Sequence, residues 1–219
     1  MIMQLYGFPG AASLAPRMVL EEIGANYEFV KLDNAAGEHR QPAYLKLNPY
    51  ARVPTLVLEG TAIFESAAIC LHLADLYPNA GLLPAPGTIK RAKAYQWLML
   101  LTNSLQPALI SFFYPERFAG EGNEVQAIKA NAEQTAQRYF SQITEHLAQH
   151  GPYLLGEAPC VADFFLLMLT RWGRWFVEPP YRKYPALTAL VDRLSERSAV
   201  QRTFQLEGIP APYCLLPKA

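Results

Sequence analysis

The sequence predicts an α/β unit joined to an all-α unit. Three observations carry this reading. Strand and helix patterns alternate over residues 1–80, a glycine- and proline-containing stretch follows at 81–88, and from 89 to 219 the apolar residues recur at helical spacing alone. Ile2 to Tyr6 is short and apolar and runs into Gly7 and Pro9, which predicts a strand and then a loop. Ser13 opens a helical pattern with Pro16 in its first turn, Val19, Leu20 and Ile23 on one side, and Gly24 as its stop. Tyr27 to Leu32 reads as a second strand, residues 33–41 as a polar loop, and Ala43 to Leu47 as a short helix. Thr55 to Leu58 and Thr61 to Phe64 flank Glu59-Gly60, a two-residue hairpin signal. Ser66 to Leu76 forms a further helix that ends at Tyr77-Pro78. In the second half the expected helices run from Ile89 to about Phe113, Val125 to about Gln149, Val161 to Trp175, and Ala186 to Ser195, with Tyr184-Pro185 as a break.

Composition narrows the function classes. Half of the 219 residues are apolar, enough for a substantial core, and 19 basic residues balance 19 acidic ones. That balance argues against a general binder of nucleic acid or anionic membrane. No stretch approaches the ~20 apolar residues of a spanning helix, and no signal peptide is apparent. Cys70, Cys160 and Cys214 form no C-x-x-C pair, so neither a zinc ribbon nor a two-cysteine redox motif is expected, and no metal. A reduced, cytoplasmic location fits three widely spaced cysteines.

The richest stretch is Asn48-Pro49-Tyr50-Ala51-Arg52-Val53-Pro54-Thr55, followed by Phe64-Glu65-Ser66. It offers a Val-Pro step before a strand, a hairpin, and then an acidic residue and a hydroxyl opening a helix. Exposed main chain at Val53 and a charged clasp at Glu65-Ser66 suit the grip of a small peptide. Read singly, each has an ordinary explanation: a trans Pro54 at a strand start, and helix capping by Ser66.

Together, the Val53-Pro54 and Glu65-Ser66 pairs resemble the cytosolic glutathione transferase family, and the likeness extends over the whole chain, with Ala162-Asp163 near a helix start. The resemblance implies a thioredoxin-like N-terminal domain (1–80), a linker (81–88) and an all-helical C-terminal domain (89–219), in a homodimer. It implies glutathione as co-substrate and a cis Val53-Pro54 bond that turns the Val53 main chain toward the tripeptide. Glu65 would accept from the γ-glutamyl ammonium, and Ser66 with the free N–H groups of its helix would donate to the carboxylate. His39 and Arg52 would meet the glycine carboxylate.

For catalysis, Ser13 resembles the serine that opens the first helix in serine-type and bacterial members, with Tyr6 as the competing donor. A hydroxyl aimed at sulfur, beside a helix N-terminus, favours thiolate over thiol. Beta-type bacterial members carry Cys just before this serine. Here Ala12 stands there, so a mixed disulfide with glutathione at that position is impossible. The apolar second substrate would meet Phe113, Tyr114 and Trp172. Cys160-Val161-Ala162-Asp163 resembles the family's helix capping box, with a weak cysteine cap that predicts one impaired half. Glutathione-dependent disulfide or peroxide reduction and a non-catalytic binding module remain the alternatives.

Overall fold

The computed structural model describes residues 3–120 and 124–216. The chain divides into two compact units: 1–83 with Ser195–Pro210, and Pro84–Leu194 with 211–219. The first unit is built on a four-stranded sheet formed by β1 (Met3–Gly7), β2 (Tyr27–Lys31), β3 (Thr55–Leu58) and β4 (Thr61–Phe64), in the order β2-β1-β3-β4. β1 pairs parallel to β2 across α1 (Leu14–Glu22), whereas β3 and β4 are antiparallel to their neighbours. The expected hairpin at Glu59-Gly60 is present, and Ile2, the predicted strand start, lies outside the described residues.

Alternation along β1 buries Met3, Leu5 and Gly7 and leaves Gln4 and Tyr6 half-buried, as a strand with one core face requires. α1 buries Leu14, Met18, Val19 and Leu20. α3 (Ser66–Leu76) packs against it and contributes Ile69, Cys70 and Leu73 to the core. α2 (Pro42–Leu45) is one turn that buries Tyr44.

In the second unit, α4 (Ile89–Leu100) passes through a π-helical stretch, Leu101–Leu105, into α5 (Gln106–Phe113). α6 (Val125–His150) is the longest helix among the described residues. α7 (Val161–Trp172) is buried along nearly its whole length, from Val161 to Arg171. It stops at Trp172, three residues short of the expectation, where Gly173 begins a single 3-10 turn. α8 (Pro180–Lys183) and α9 (Pro185–Ser195) complete this unit.

Two expectations are corrected. First, residues 195–210 do not belong with the helical unit: α10 (Ser198–Leu206), which the sequence reading missed, packs on α1 with Val200 and Phe204 buried. Ion pairs fix it there. Arg197 Nε lies 3.1 Å from both oxygens of Glu22, and Arg202 Nε 2.9 Å from Glu21 Oε2. Second, the capping box on α7 is complete rather than half-impaired. The Cys160 sulfur accepts from the Asp163 N–H, and the Cys160 N–H donates to Asp163 Oδ2 at 2.8 Å. A large sulfur reaches the amide that a shorter hydroxyl would otherwise take.

Candidate active site

Strand directions bring the candidate residues of the first unit to one end of the sheet. β1 ends at Gly7 and leads into the turn before α1. β3, antiparallel, starts at Thr55 beside Tyr6, and β4 ends at Phe64 beside Thr55. Ser13, the Val53-Pro54 step and Glu65-Ser66 therefore all emerge at this end.

The Val53-Pro54 peptide is cis, as the family likeness implied. Pro54 is buried and Val53 half-buried. Neither the N–H nor the C=O of Val53 takes a partner among the described residues. The flanking chain is held firmly. The Arg52 carbonyl accepts from Tyr44 Oη at 2.6 Å and from Asn48 Nδ2 at 2.8 Å, and Tyr44 Oη also bonds Thr55 Oγ1 at 2.8 Å. Burial pushes the Tyr44 phenol up, so it stays protonated and keeps its donor role. The sequence reading assigned Tyr44, Asn48 and Thr55 no role; through these bonds they hold the chain on either side of Val53.

Glu65 precedes α3 at φ +73°, in a region that non-glycine residues avoid at a cost of about 1–3 kcal/mol. Its carboxylate is exposed. Ser66, the first residue of α3, is buried, and it stands at a helix end whose first N–H groups point out of the helix.

Ser13 is fully buried, and its hydroxyl donates to the Phe8 carbonyl at 3.2 Å. A Cβ added to Gly7 would lie 2.4 Å from both Ser13 Cβ and Oγ, so glycine is required there. Gly7→Ala is expected to push Ser13 and the start of α1 away from the strand. It should lower the melting temperature by several degrees, measurable by calorimetry. The N–H groups of Ala12 and Ser13 take no acceptor among the described residues. Tyr6 points the other way. Side chains alternate along β1, so Gly7 faces Ser13 while the Tyr6 ring sits 5.9 Å from that of Tyr44 in α2. The two hydroxyl candidates thus flank opposite faces of the sheet.

His39 is 8% exposed, its Nδ1 has no partner, and its ring lies 5.9 Å from Phe8. Burial, with a smaller push from Arg40, lowers its pKa, so at neutral pH it offers an imidazole N–H and not a charge. Arg52 is exposed and keeps its cation in solvent.

The turn before α1 is anchored by a residue that sequence reasoning did not find. Glu207, just after α10, accepts the Gly10 N–H at 2.8 Å and lies 3.5 Å from Arg17 Nη1, with both side chains buried. Arg17 stacks over Phe29 at 3.9 Å and donates to Tyr27 Oη at 3.2 Å, and that phenol donates to Glu21 at 2.6 Å. The signal available was Arg17 itself, a cation set among the apolar positions of a helix.

In the helical unit, Phe113 and Trp172 meet edge to face, with centroids 6.5 Å apart. Tyr114 is exposed, and Arg117 covers its ring at 3.9 Å, so it stands outside that pair. All three cysteines are free and buried. Burial raises each thiol, that of Cys214 to about 12, which removes them as nucleophiles.

Family models for the glutathione S-transferase N-terminal domain and C-terminal domain match residues 1–75 and 101–198. Glutathione S-transferase GST-4.5 of Xanthomonas campestris is 30% identical over 94% of this chain and the whole of that protein. Among solved structures, a glutathione transferase homolog from Sulfitobacter with bound glutathione superposes with a TM-score of 0.86 at 28% identity, covering 94% of this chain and 98% of that one. A sphingomonad glutathione S-transferase complexed with glutathione gives 0.80 at 31% identity, covering 94% and 100%. With family models matching residues 1–75 of the thioredoxin-like part and 101–198 of the helical part, and a 30% identical relative matched over 94% of this chain, the chain belongs to the glutathione S-transferase family of enzymes.

Proposed function

We propose that this chain is a serine-type glutathione transferase: it binds glutathione at the end of the sheet, holds its thiol as thiolate at the start of α1, and adds it to an apolar electrophile. One observation carries the reading. The unpaired main-chain groups of Val53 stand at the same sheet end as the N-termini of α1 and α3. An extended cysteinyl residue pairs with such groups as an added strand would. The γ-glutamyl ammonium then meets Glu65, and its carboxylate meets Ser66 and the first N–H groups of α3. Arg52 and the His39 N–H take the glycine carboxylate. The glutathione in the Sulfitobacter and sphingomonad structures supports this reading.

At the sulfur, the Ser13 hydroxyl leaves the Phe8 carbonyl to donate to the thiolate, and the N–H groups of Ala12 and Ser13 add positive potential. The thiol proton passes to solvent. The thiolate then forms the C–S bond, and either a leaving group departs with its electron pair or the adduct takes up a proton. Phe113 and Trp172 supply apolar surface for the electrophile, with Tyr114 at the margin. Ala12 leaves no protein thiol for a mixed disulfide, which favours conjugation over cysteine-based redox exchange. We also propose a homodimer, supported by the exposed ring of Tyr50, and a cytoplasmic location, supported by three unpaired thiols.

Ser13→Ala tests the assignment. The thiol of bound glutathione, titrated by its ultraviolet thiolate band, is expected to rise by about one pKa unit, or about 1.4 kcal/mol, with roughly tenfold lower turnover and little change in glutathione affinity. An unchanged thiol pKa overturns the role of Ser13, and Tyr6→Phe then tests the remaining hydroxyl.

A further inference from the structure

The end of α6 carries a pair of side chains that the transferase reading does not use. His146 and His150 are four residues apart, so they stand on one face of the helix, one above the other. Their ring centroids lie 4.8 Å apart. They line a cleft of about 420 Å³ within the helical unit, and Trp97 of α4 packs on the His146 ring at 4.6 Å. Two histidines at this spacing on one helix face can chelate a single metal ion. The sequence expectation of no metal rested on cysteine spacing, and cysteines take no part here.

Separation, tautomer and position all suit a metal. Metal–imidazole bonds are about 2.0–2.1 Å long, so two imidazoles in adjacent positions on one ion hold their centroids on the order of 4.5–5 Å apart. The observed separation falls in that interval without movement of the helix. His146 Nε2 lies 3.0 Å from the Leu154 carbonyl, which can only accept, so Nε2 carries the proton and Nδ1 keeps its lone pair. An imidazole N–H donated to a backbone carbonyl is the common outer partner that orients a metal-bound histidine. The His150 ring takes no hydrogen bond among the described residues, so it binds an ion without giving one up. The last turn of a helix also carries partial negative charge, which favours a cation there.

We propose that His146 and His150 form a binding site for a divalent transition-metal ion, held by two imidazole nitrogens with water in the remaining positions. No group of three ligating side chains exists among the described residues, so the site is open and its ion exchangeable. Lys90 and Lys93 line the facing wall, and no carboxylate does. Both lysines are exposed, and Lys93 Nζ turns to Gln96 Oε1 at 3.2 Å, so their repulsion of the ion is screened by solvent. Nitrogen donors without carboxylates disfavour Mg²⁺ and Ca²⁺ and select the later first-row ions, Cu²⁺ above Ni²⁺ and Zn²⁺. The inference does not depend on the proposed transferase mechanism.

The test titrates the untagged full chain, stripped with EDTA, with Cu²⁺, Ni²⁺, Zn²⁺ and Mg²⁺ in turn, followed by calorimetry and tryptophan fluorescence. One saturable site of micromolar affinity for Cu²⁺ is expected, weaker for Ni²⁺ and Zn²⁺ and absent for Mg²⁺. Bound Cu²⁺ should quench Trp97, so Trp97→Phe should bind the ion as before with most of the quenching gone. His150→Gln, at an exposed position, should weaken Cu²⁺ by roughly tenfold or more and leave glutathione conjugation unchanged. Undiminished Cu²⁺ affinity in His150→Gln, equal quenching in Trp97→Phe, or no binding up to millimolar Cu²⁺ each overturns the proposal.

Discussion

Glu207→Ala is expected to destabilise the protein by about 3–5 kcal/mol, the usual cost of breaking one side of a buried ion pair. Two groups lose their acceptor at once. Arg17 is left as a buried cation, and the Gly10 N–H loses a 2.8 Å bond. The Phe29 ring and Tyr27 hydroxyl remain beside Arg17 and keep the effect from being larger. Denaturant unfolding should show a lower midpoint with an unchanged slope. Glu207→Gln separates the two roles. It keeps a carbonyl for Gly10 but removes the charge, so it should fall between wild type and Ala. The double variant Arg17→Met with Glu207→Leu should recover most of the loss, because apolar replacements of buried pairs are often neutral. If Glu207→Ala unfolds like wild type, the pair is not what holds the turn before Ser13.

Asp163→Ala should cost on the order of 2–5 kcal/mol. The carboxylate is fully buried and accepts Leu154 N–H at 2.9 Å and Cys160 N–H at 2.8 Å, so truncation orphans two buried amides at about 1–3 kcal/mol each. This residue also has a pH signature of unusual sign. Burial pushes its carboxyl up to about 6 from 3.8, against the pull of its N–H donors. A folded pKa above the unfolded one means that the native state binds the extra proton between these values. Its contribution is fully present below about pH 4 and is lost as pH rises through about 6. The stability of wild type relative to Asp163→Asn should therefore fall with rising pH in that window, by about 3 kcal/mol in all. A difference that grows with pH would mean that the two N–H donors win and the carboxyl is depressed.

The local elements were legible because their signals are local. Glu59-Gly60 specifies its hairpin, Ser66 to Leu76 carries its own start and stop, and the Val53-Pro54 and Glu65-Ser66 pairs sit where strand direction delivers them to one sheet end. What escaped depends on partners distant in sequence. α10 is a short amphipathic helix whose apolar face has no visible destination until α1, some 180 residues earlier, is folded beside it. Ser13 could be recognised as a helix opener, but its burial follows from the bare backbone of Gly7 and the nearby Phe8 carbonyl. Tyr6 competes with Ser13 as a donor in the sequence, and only the strand pleat shows that it leaves from the opposite face. Cys160 was read from the ordinary weakness of thiols as acceptors, without the extra reach of sulfur.

The place of α10 has a consequence for how the protein is made. During synthesis the sheet and α1 emerge early, but the helix that covers α1 is encoded after the entire helical unit. A nascent chain that has cleared the ribosome only as far as the linker has no α10 to cover α1 and no Glu207 to pair with Arg17 until residues 198–207 are made. Chaperone capture of stalled chains should therefore persist past the linker and cease once Glu207 has emerged from the exit tunnel.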